Sequence, residues 1–262
     1  MLDWLEMPKG KRDGDVEEDV RRLRPAEELM RSGERLYYEG EFLLAAREFR
    51  SARRHDPSFF EAWAAEVEAR LRGGDVPQAA ASADEALGTY GQVPIFYAAK
   101  ALVLAHQGYI EAALQHADIP VQHQEGSMFA WLSRAEVLLA SGAGGILRGA
   151  ETCFQKACEQ DPTHWRAPFR AAMALLQWGY TERALERLST VAQSIPDNAL
   201  VWKLLGDCQR QLGHPAAARD AYQLALARRA GYDAAREALR SMTLWGRIRA
   251  SLARIFKRTR NP

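Results

Sequence analysis

Six histidines, three cysteines and one glycine cluster are the residues of this 262-residue chain best suited to chemistry. His106, His116 and His123 form the closest histidine trio. A metal site would need them beside further nitrogen, sulfur or carboxylate ligands at fixed spacing. No His-Glu-x-x-His pattern accompanies them, and Cys153 and Cys158 stand five apart, on different faces of a helix. Cys208 falls in an apolar phase. Gly142, Gly144 and Gly145 lack the lysine and Ser/Thr of a phosphate loop, and no strand precedes them. Carboxylates are abundant but fall on solvated helical faces such as Glu17 to Asp19, where no apolar pocket would tune one. The expectation is a protein without metal, cofactor or catalytic centre.

Composition narrows the partners. The 35 basic and 34 acidic side chains leave a net charge of +1, which excludes a globally basic nucleic-acid binder. The best apolar stretch, Pro94 to Ala105, carries Lys100 and falls short of the roughly 20 residues of a membrane-spanning helix. Met1 to Arg12 has no basic head followed by an apolar block, so no secretory signal is expected. An odd, small cysteine count favours a reducing compartment. The expected location is cytoplasmic, with peripheral attachment at the inner membrane surface as an addition.

The elements that must position any site repeat along the chain. Gly40, Gly74, Gly108 and Gly142 are spaced by 34 residues, and Gly179 and Gly213 continue the series after one step of 37. Ala45, Ala79, Ala113, Ala184 and Ala218 follow five residues behind, while Ala150 lies eight behind Gly142, a three-residue insertion in that turn. Leu29, Trp63, Tyr97, Trp131, Pro168 and Trp202 share one phase; Phe49, Ala83, Ala117, Phe154, Leu188 and Tyr222 share another. Apolar residues recur at steps of three and four on both sides of each glycine, so each unit reads as two short helices joined where a left-handed backbone is needed. One such hairpin cannot bury its apolar face alone, and the units must stack.

The pattern resembles the tetratricopeptide repeat, most completely at Trp202, Leu205, Gly206, Ala218, Tyr222 and Ala225. The resemblance implies an all-α, right-handed solenoid of six helix-turn-helix repeats over 26–59, 60–93, 94–127, 128–164, 165–198 and 199–232. In the third unit Pro120 and the segment Ile119 to Gly126 predict a shortened second helix. Residues 233–244 read as a capping helix. Ahead of the array, residues 1–25 read as a flexible arm broken by Pro8, Gly10 and Gly14, with an apolar cluster of Leu2, Trp4, Leu5 and Met7. That cluster is expected to dock on the first repeat or to serve as a recognition segment for a partner.

The other end is basic. In 245–262, Trp245, Ile248, Leu252, Ile255 and Phe256 form an apolar stripe, while Arg247, Arg249, Arg254, Lys257 and Arg258 take the other positions. Such a helix suits packing on this chain or a second copy, an anionic membrane surface, or another protein or nucleic acid.

In the family the first helix of each unit lines a concave groove that receives a peptide. Carried over by position, the groove-facing residues are apolar in the middle: Ile95, Ala98, Leu102, Phe129, Leu132, Phe169, Met173 and Leu176. Polar groups flank them: Glu27, Glu34, Tyr37, Glu61, Glu68 and Arg72 on one side, Lys203, Asp207 and Arg210 on the other. The family's clamp on a terminal carboxylate is largely missing. Arg166 and Arg170 occupy two basic positions, but Leu132, Glu136, Ala98 and Leu102 stand where lysine and asparagine are required. Arg166 and Arg170 are left to meet an acidic ligand group or neighbouring carboxylates. The expected function is a non-catalytic protein-interaction adaptor or chaperone binding an extended or amphipathic segment. The alternatives are a membrane-surface scaffold recruited through the tail, and a homo-oligomer in which an end of one copy fills its neighbour's groove.

Overall fold

The computed structural model describes residues 25–124, 126–142 and 146–242. The apolar cluster of the arm and the basic tail from Trp245 to Pro262 lie outside the described residues. The described chain is all helical. Six hairpins follow one another: α1 (Pro25–Tyr38) with α2 (Phe42–His55), α3 (Phe60–Arg72) with α4 (Val76–Thr89), and α5 (Pro94–His106) with α6 (Ile110–Asp118). Then come α7 (Met128–Ser141) with α8 (Ile146–Glu159), α9 (Arg166–Gln177) with α10 (Thr181–Ser194), and α11 (Ala199–Gln211) with α12 (Pro215–Arg228). A final helix, α13, covers 233–242. As Pro120 predicts, α6 is short, and a 3-10 turn (Ile119–Gln124) replaces its last turns.

The six phased glycines all have positive φ, from 60° to 85°. Five of their turns share one hydrogen-bond pattern: Gly40 N–H donates to the Tyr37 carbonyl and Glu41 N–H to that of Leu36, a Schellman closure that satisfies the free carbonyls of the first helix. The same pair recurs at Gly74/Asp75, Gly108/Tyr109, Gly179/Tyr180 and Gly213/His214. The phased alanines Ala45, Ala79, Ala113, Ala150, Ala184 and Ala218 are wholly buried, which lets each helix pair approach closely. At Gly33 and Gly206 the approach is closer still: a Cβ would lie 2.5 Å from the ring of Phe49 or Tyr222 on the paired helix.

The array closes on itself. The α1–α2 turn of the first repeat meets the fifth and sixth repeats and the segment before α13. Asn198, which caps α11 through Val201 N–H, also donates from Nδ2 to the Tyr38 carbonyl at 2.9 Å. Arg229 pairs with Glu41 at 2.7 Å and donates to the Glu39 carbonyl. Tyr38 packs edge-on against Trp165 and Phe169, with ring centroids at 4.7 and 5.5 Å. A Cβ at Gly40 would come within 3.2 Å of Leu200 and the Tyr232 hydroxyl. Chain segments more than 120 residues apart therefore form a seam, and the concave face turns inward.

Candidate functional site: the concave face

The first helices α1, α3, α5, α7 and α9 line the concave face, and a buried charged network runs across its middle. Tyr37 donates its hydroxyl to Glu68 Oε1 at 2.8 Å. Arg170 donates through Nε to the same oxygen at 3.1 Å and pairs closely with Oε2. Arg72 grips Glu136 with two nitrogens, at 3.0 and 2.5 Å, and lies 3.9 Å from Glu68. Trp178 Nε1–H donates to Glu136 Oε1 at 3.3 Å, and His106 Nε2 lies equally near. Residues from all of the first five repeats meet in this bolt. Two carboxylates face two guanidinium groups, so its charge balances.

Burial and pairing compete in the bolt. Burial pushes the Glu136 carboxyl up, but the Arg72 guanidinium and His106 outweigh it and leave its pKa lowered to about 2. For Arg72 and Arg170 burial acts to lower the pKa, yet Glu136 and Glu68 respectively hold both above the ordinary arginine range. Burial, followed by the charge of Glu68, raises the Tyr37 phenol. Every one of these shifts fixes the charge state that pairing requires and poises nothing for proton transfer near neutral pH. In the cysteines the shifts disfavour the thiolate: burial raises Cys153 and Cys158, and burial with Asp207 nearby pushes Cys208 up to about 12. Among the described residues no cluster of His, Cys, Asp and Glu could hold a metal ion.

The apolar positions expected to line an open trough differ in exposure. Ala98, Leu102, Leu132 and Phe169 are packed inside, and Phe129 and Met173 are nearly so. Among the described residues the apolar positions expected from sequence form no continuous exposed channel: the seam brings the fifth repeat against the first, and the bolt crosses the middle of what remains. Arg166 and Arg170 meet the chain's own carboxylates, Arg166 with Glu34 at 3.1 Å and Arg170 with Glu68. Lys203 pairs with Asp207, and Arg210 donates to the Tyr222 hydroxyl. Trp245 through Arg258 of the tail lie outside the described residues.

What stays open lies on either side of the bolt. At the first turns of α3, α5 and α7 is a cavity of 240 Å³, bounded by Met30, Glu34, Tyr37, Tyr38 and Phe49 of the first repeat. Glu61, Ala64, Ala65, Glu68, Ile95, Ser127, Met128, Phe129 and Arg170 complete it. The Arg170 guanidinium lies over the Phe129 ring at 5.4 Å. The other mouth, of 200 Å³, is lined by Arg72, Met173, Leu176, Gln177, Leu204, Asp207 and Gln211. Sequence reasoning named Ile95, Phe129, Arg170, Met173 and Leu176 but missed Met30, Tyr38, Phe49 and Met128. Tyr38 and Phe49 carry no groove phase; the adjacent aromatics Tyr37 and Tyr38, at the end of a first helix, were the available signal.

The family model described as tetratricopeptide repeat matches residues 30–94 and 169–238, together just over half of the chain. The chain belongs to the tetratricopeptide repeat family. Membership carries the family's general role, that of a protein–protein interaction adaptor. Similar solved structures include TTC0263, a thermophilic TPR protein in Thermus thermophilus, at 16% identity and a TM-score of 0.49, covering 84% of this chain and 99% of that one. The chain is also similar to PilW, a widely conserved type IV pilus biogenesis factor (14% identity, TM-score 0.48, covering 83% and 99%). A further similar structure is YrrB, a TPR protein with an unusual peptide-binding site (16%, 0.42, 74% and 98%). No curated protein matches the chain.

Proposed function

We propose that this tetratricopeptide array is a non-catalytic adaptor that holds a segment of a partner polypeptide at the mouth of its concave face. The observation that carries this reading is the 240 Å³ cavity between the first five repeats, apolar within and edged by Glu34, Glu61, Glu68 and Arg170. Ile95 and Phe129 supply apolar contact, while Met30 and Met128 supply side chains that adapt to an irregular surface. Ala98, Leu102, Leu132 and Phe169 act as the packed wall behind it, and Met173 and Leu176 offer a second contact at the opposite mouth. Burying each apolar anchor contributes roughly 1.5–3 kcal/mol. Two or three anchors then support micromolar binding after association costs of several kcal/mol.

The test is a photo-crosslinking amino acid placed at position 95 in the native cell. Pocket engagement predicts a polypeptide adduct at 95 that is absent when the probe sits at exposed position 44 and is lost on Ala65→Glu. Equal adducts at both positions would reject the mouth as the site. Glutamate at 102 or 169 is unsuitable, because both positions are buried and an unpaired charge there would unfold the array.

A further inference from the structure

We infer that the same mouth is a seat for this chain's own N-terminal segment, with Trp4 as the anchor and the basic residues behind it meeting the acidic edge. The seating stands on the cavity itself and is independent of the adaptor reading.

Size and lining come first. The cavity of 240 Å³ has room for one large aromatic side chain, and Met30, Tyr37, Phe49, Ile95 and Phe129 give it an apolar wall. An indole also needs an acceptor for its N–H. Ser127 and the carboxylates at the edge supply one. Among the apolar residues of 1–7, Trp4 combines the largest apolar area with that single polar atom.

Connectivity selects this segment over other occupants. Trp4 stands 21 residues before Pro25, where α1 begins, and Met30 at the cavity wall is only five residues into that helix. Five helical residues rise about 7.5 Å. Twenty-one residues of chain span at most about 70–75 Å. The tether therefore reaches easily. A short tether also holds its end at an effective concentration on the order of 1 mM, so even a contact with an intrinsic Kd of about 0.1 mM is mostly closed. The sixth repeat, which leads to the C-terminal tail, contributes to the opposite mouth and not to this one.

Charge agrees. Glu34 and Glu68 are engaged by Arg166 and Arg170, but Glu61 is exposed at the edge with no ion pair to a described residue. Lys9, Lys11 and Arg12 follow the apolar cluster directly, whereas Asp3 and Glu6 flank Trp4, so it is the residues behind the anchor and not its neighbours that would meet this edge.

A fluorescein-labelled synthetic peptide with the sequence of residues 1–12, titrated against the full chain by fluorescence anisotropy, tests the seat. In the wild type the tethered segment competes. At about 1 mM effective concentration and about 0.1 mM Kd, Trp4→Ala should tighten labelled-peptide binding about tenfold. Ala65→Trp, added to Trp4→Ala, fills the cavity and should abolish binding with unchanged helical circular dichroism. Should that variant not fold, Glu61→Lys in the same background should weaken binding several-fold. Equal affinity of wild type and Trp4→Ala would overturn the inference, as would binding indifferent to both cavity variants. A Trp4-dependent dimer in sedimentation would place the segment in a second copy and overturn it equally. The adaptor reading fails separately, if the position-95 probe captures no polypeptide in cells expressing the Trp4→Ala chain.

Discussion

Glu136 offers the sharpest test of the bolt. It is 2% exposed and receives two bonds from Arg72, whose side chain is itself 5% exposed, together with the Trp178 N–H. Glu136→Gln keeps the shape and removes the charge. Arg72 then stays buried and cationic, and its nearest other carboxylate, Glu68 at 3.9 Å, is already held by Arg170 and Tyr37. Removing one partner of a buried pair costs about 3–5 kcal/mol. The titration route gives a similar figure: a carboxyl lowered from 4.5 to about 2 represents on the order of 3 kcal/mol of stability at neutral pH.

Because the folded-state pKa is depressed, that stability is complete above the unfolded value near 4.5 and disappears as pH falls through the folded value near 2. Urea unfolding followed by circular dichroism and tryptophan emission should therefore show a large gap between wild type and Glu136→Gln at pH 7. The gap should narrow as the wild type is acidified below pH 4.5. Adding Arg72→Met should recover stability, so that the two changes depart from additivity by at least about 1 kcal/mol. Additive losses, or an acid profile of Glu136→Gln parallel to that of the wild type, would refute the bolt as a coupled ionic unit.

Gly206→Ala should cost about 1–3 kcal/mol by thermal unfolding, because its Cβ meets a ring held in place by Asp207 and Arg210. Gly108→Ala has open space around its Cβ, so it should cost only the left-handed backbone strain of about 1–2 kcal/mol at a φ of 84°. A crystal structure with unshifted neighbours would separate the two causes. At the seam, Tyr38→Ala with Arg229→Ala should enlarge the radius of gyration in small-angle scattering; an unchanged radius would show that the closure does not depend on these contacts.

Local and periodic features were legible from sequence. Six glycines in one phase identify the turns because a left-handed residue is a local requirement, and Pro120 shortens α6 for an equally local reason. Which side chains reach solvent was not legible. Phe169 and Ala98 fall in the groove-facing phase and still end inside, because burial there depends on the small rotation between successive repeats, accumulated around the array. No single repeat encodes that sum. The partners it creates, Arg72 with Glu136 and Arg170 with Glu68, lie 64 and 102 residues apart. Opposite charges at matching phases in the second, fourth and fifth units were visible, but rims that fix a ligand and bolts that shut a groove use the same residue types.

This closure constrains how a partner can bind. A ligand that demanded the whole trough would have to separate Arg72 from Glu136 and Arg170 from Glu68, and each separation leaves buried charge unpaired at about 3–5 kcal/mol unless the ligand supplies a replacement. Such a ligand would have to bind the open form more tightly than the closed form by the same amount, a factor of at least about a hundred for one pair. A carboxylate-bearing segment could replace Glu68 or Glu136 in kind; an apolar helix could not. Binding at the mouths avoids the cost altogether, since Ile95, Met128 and Leu176 are accessible with both ion pairs intact. The closed array therefore favours short anchors inserted from either side of the bolt over a long helix laid along the groove.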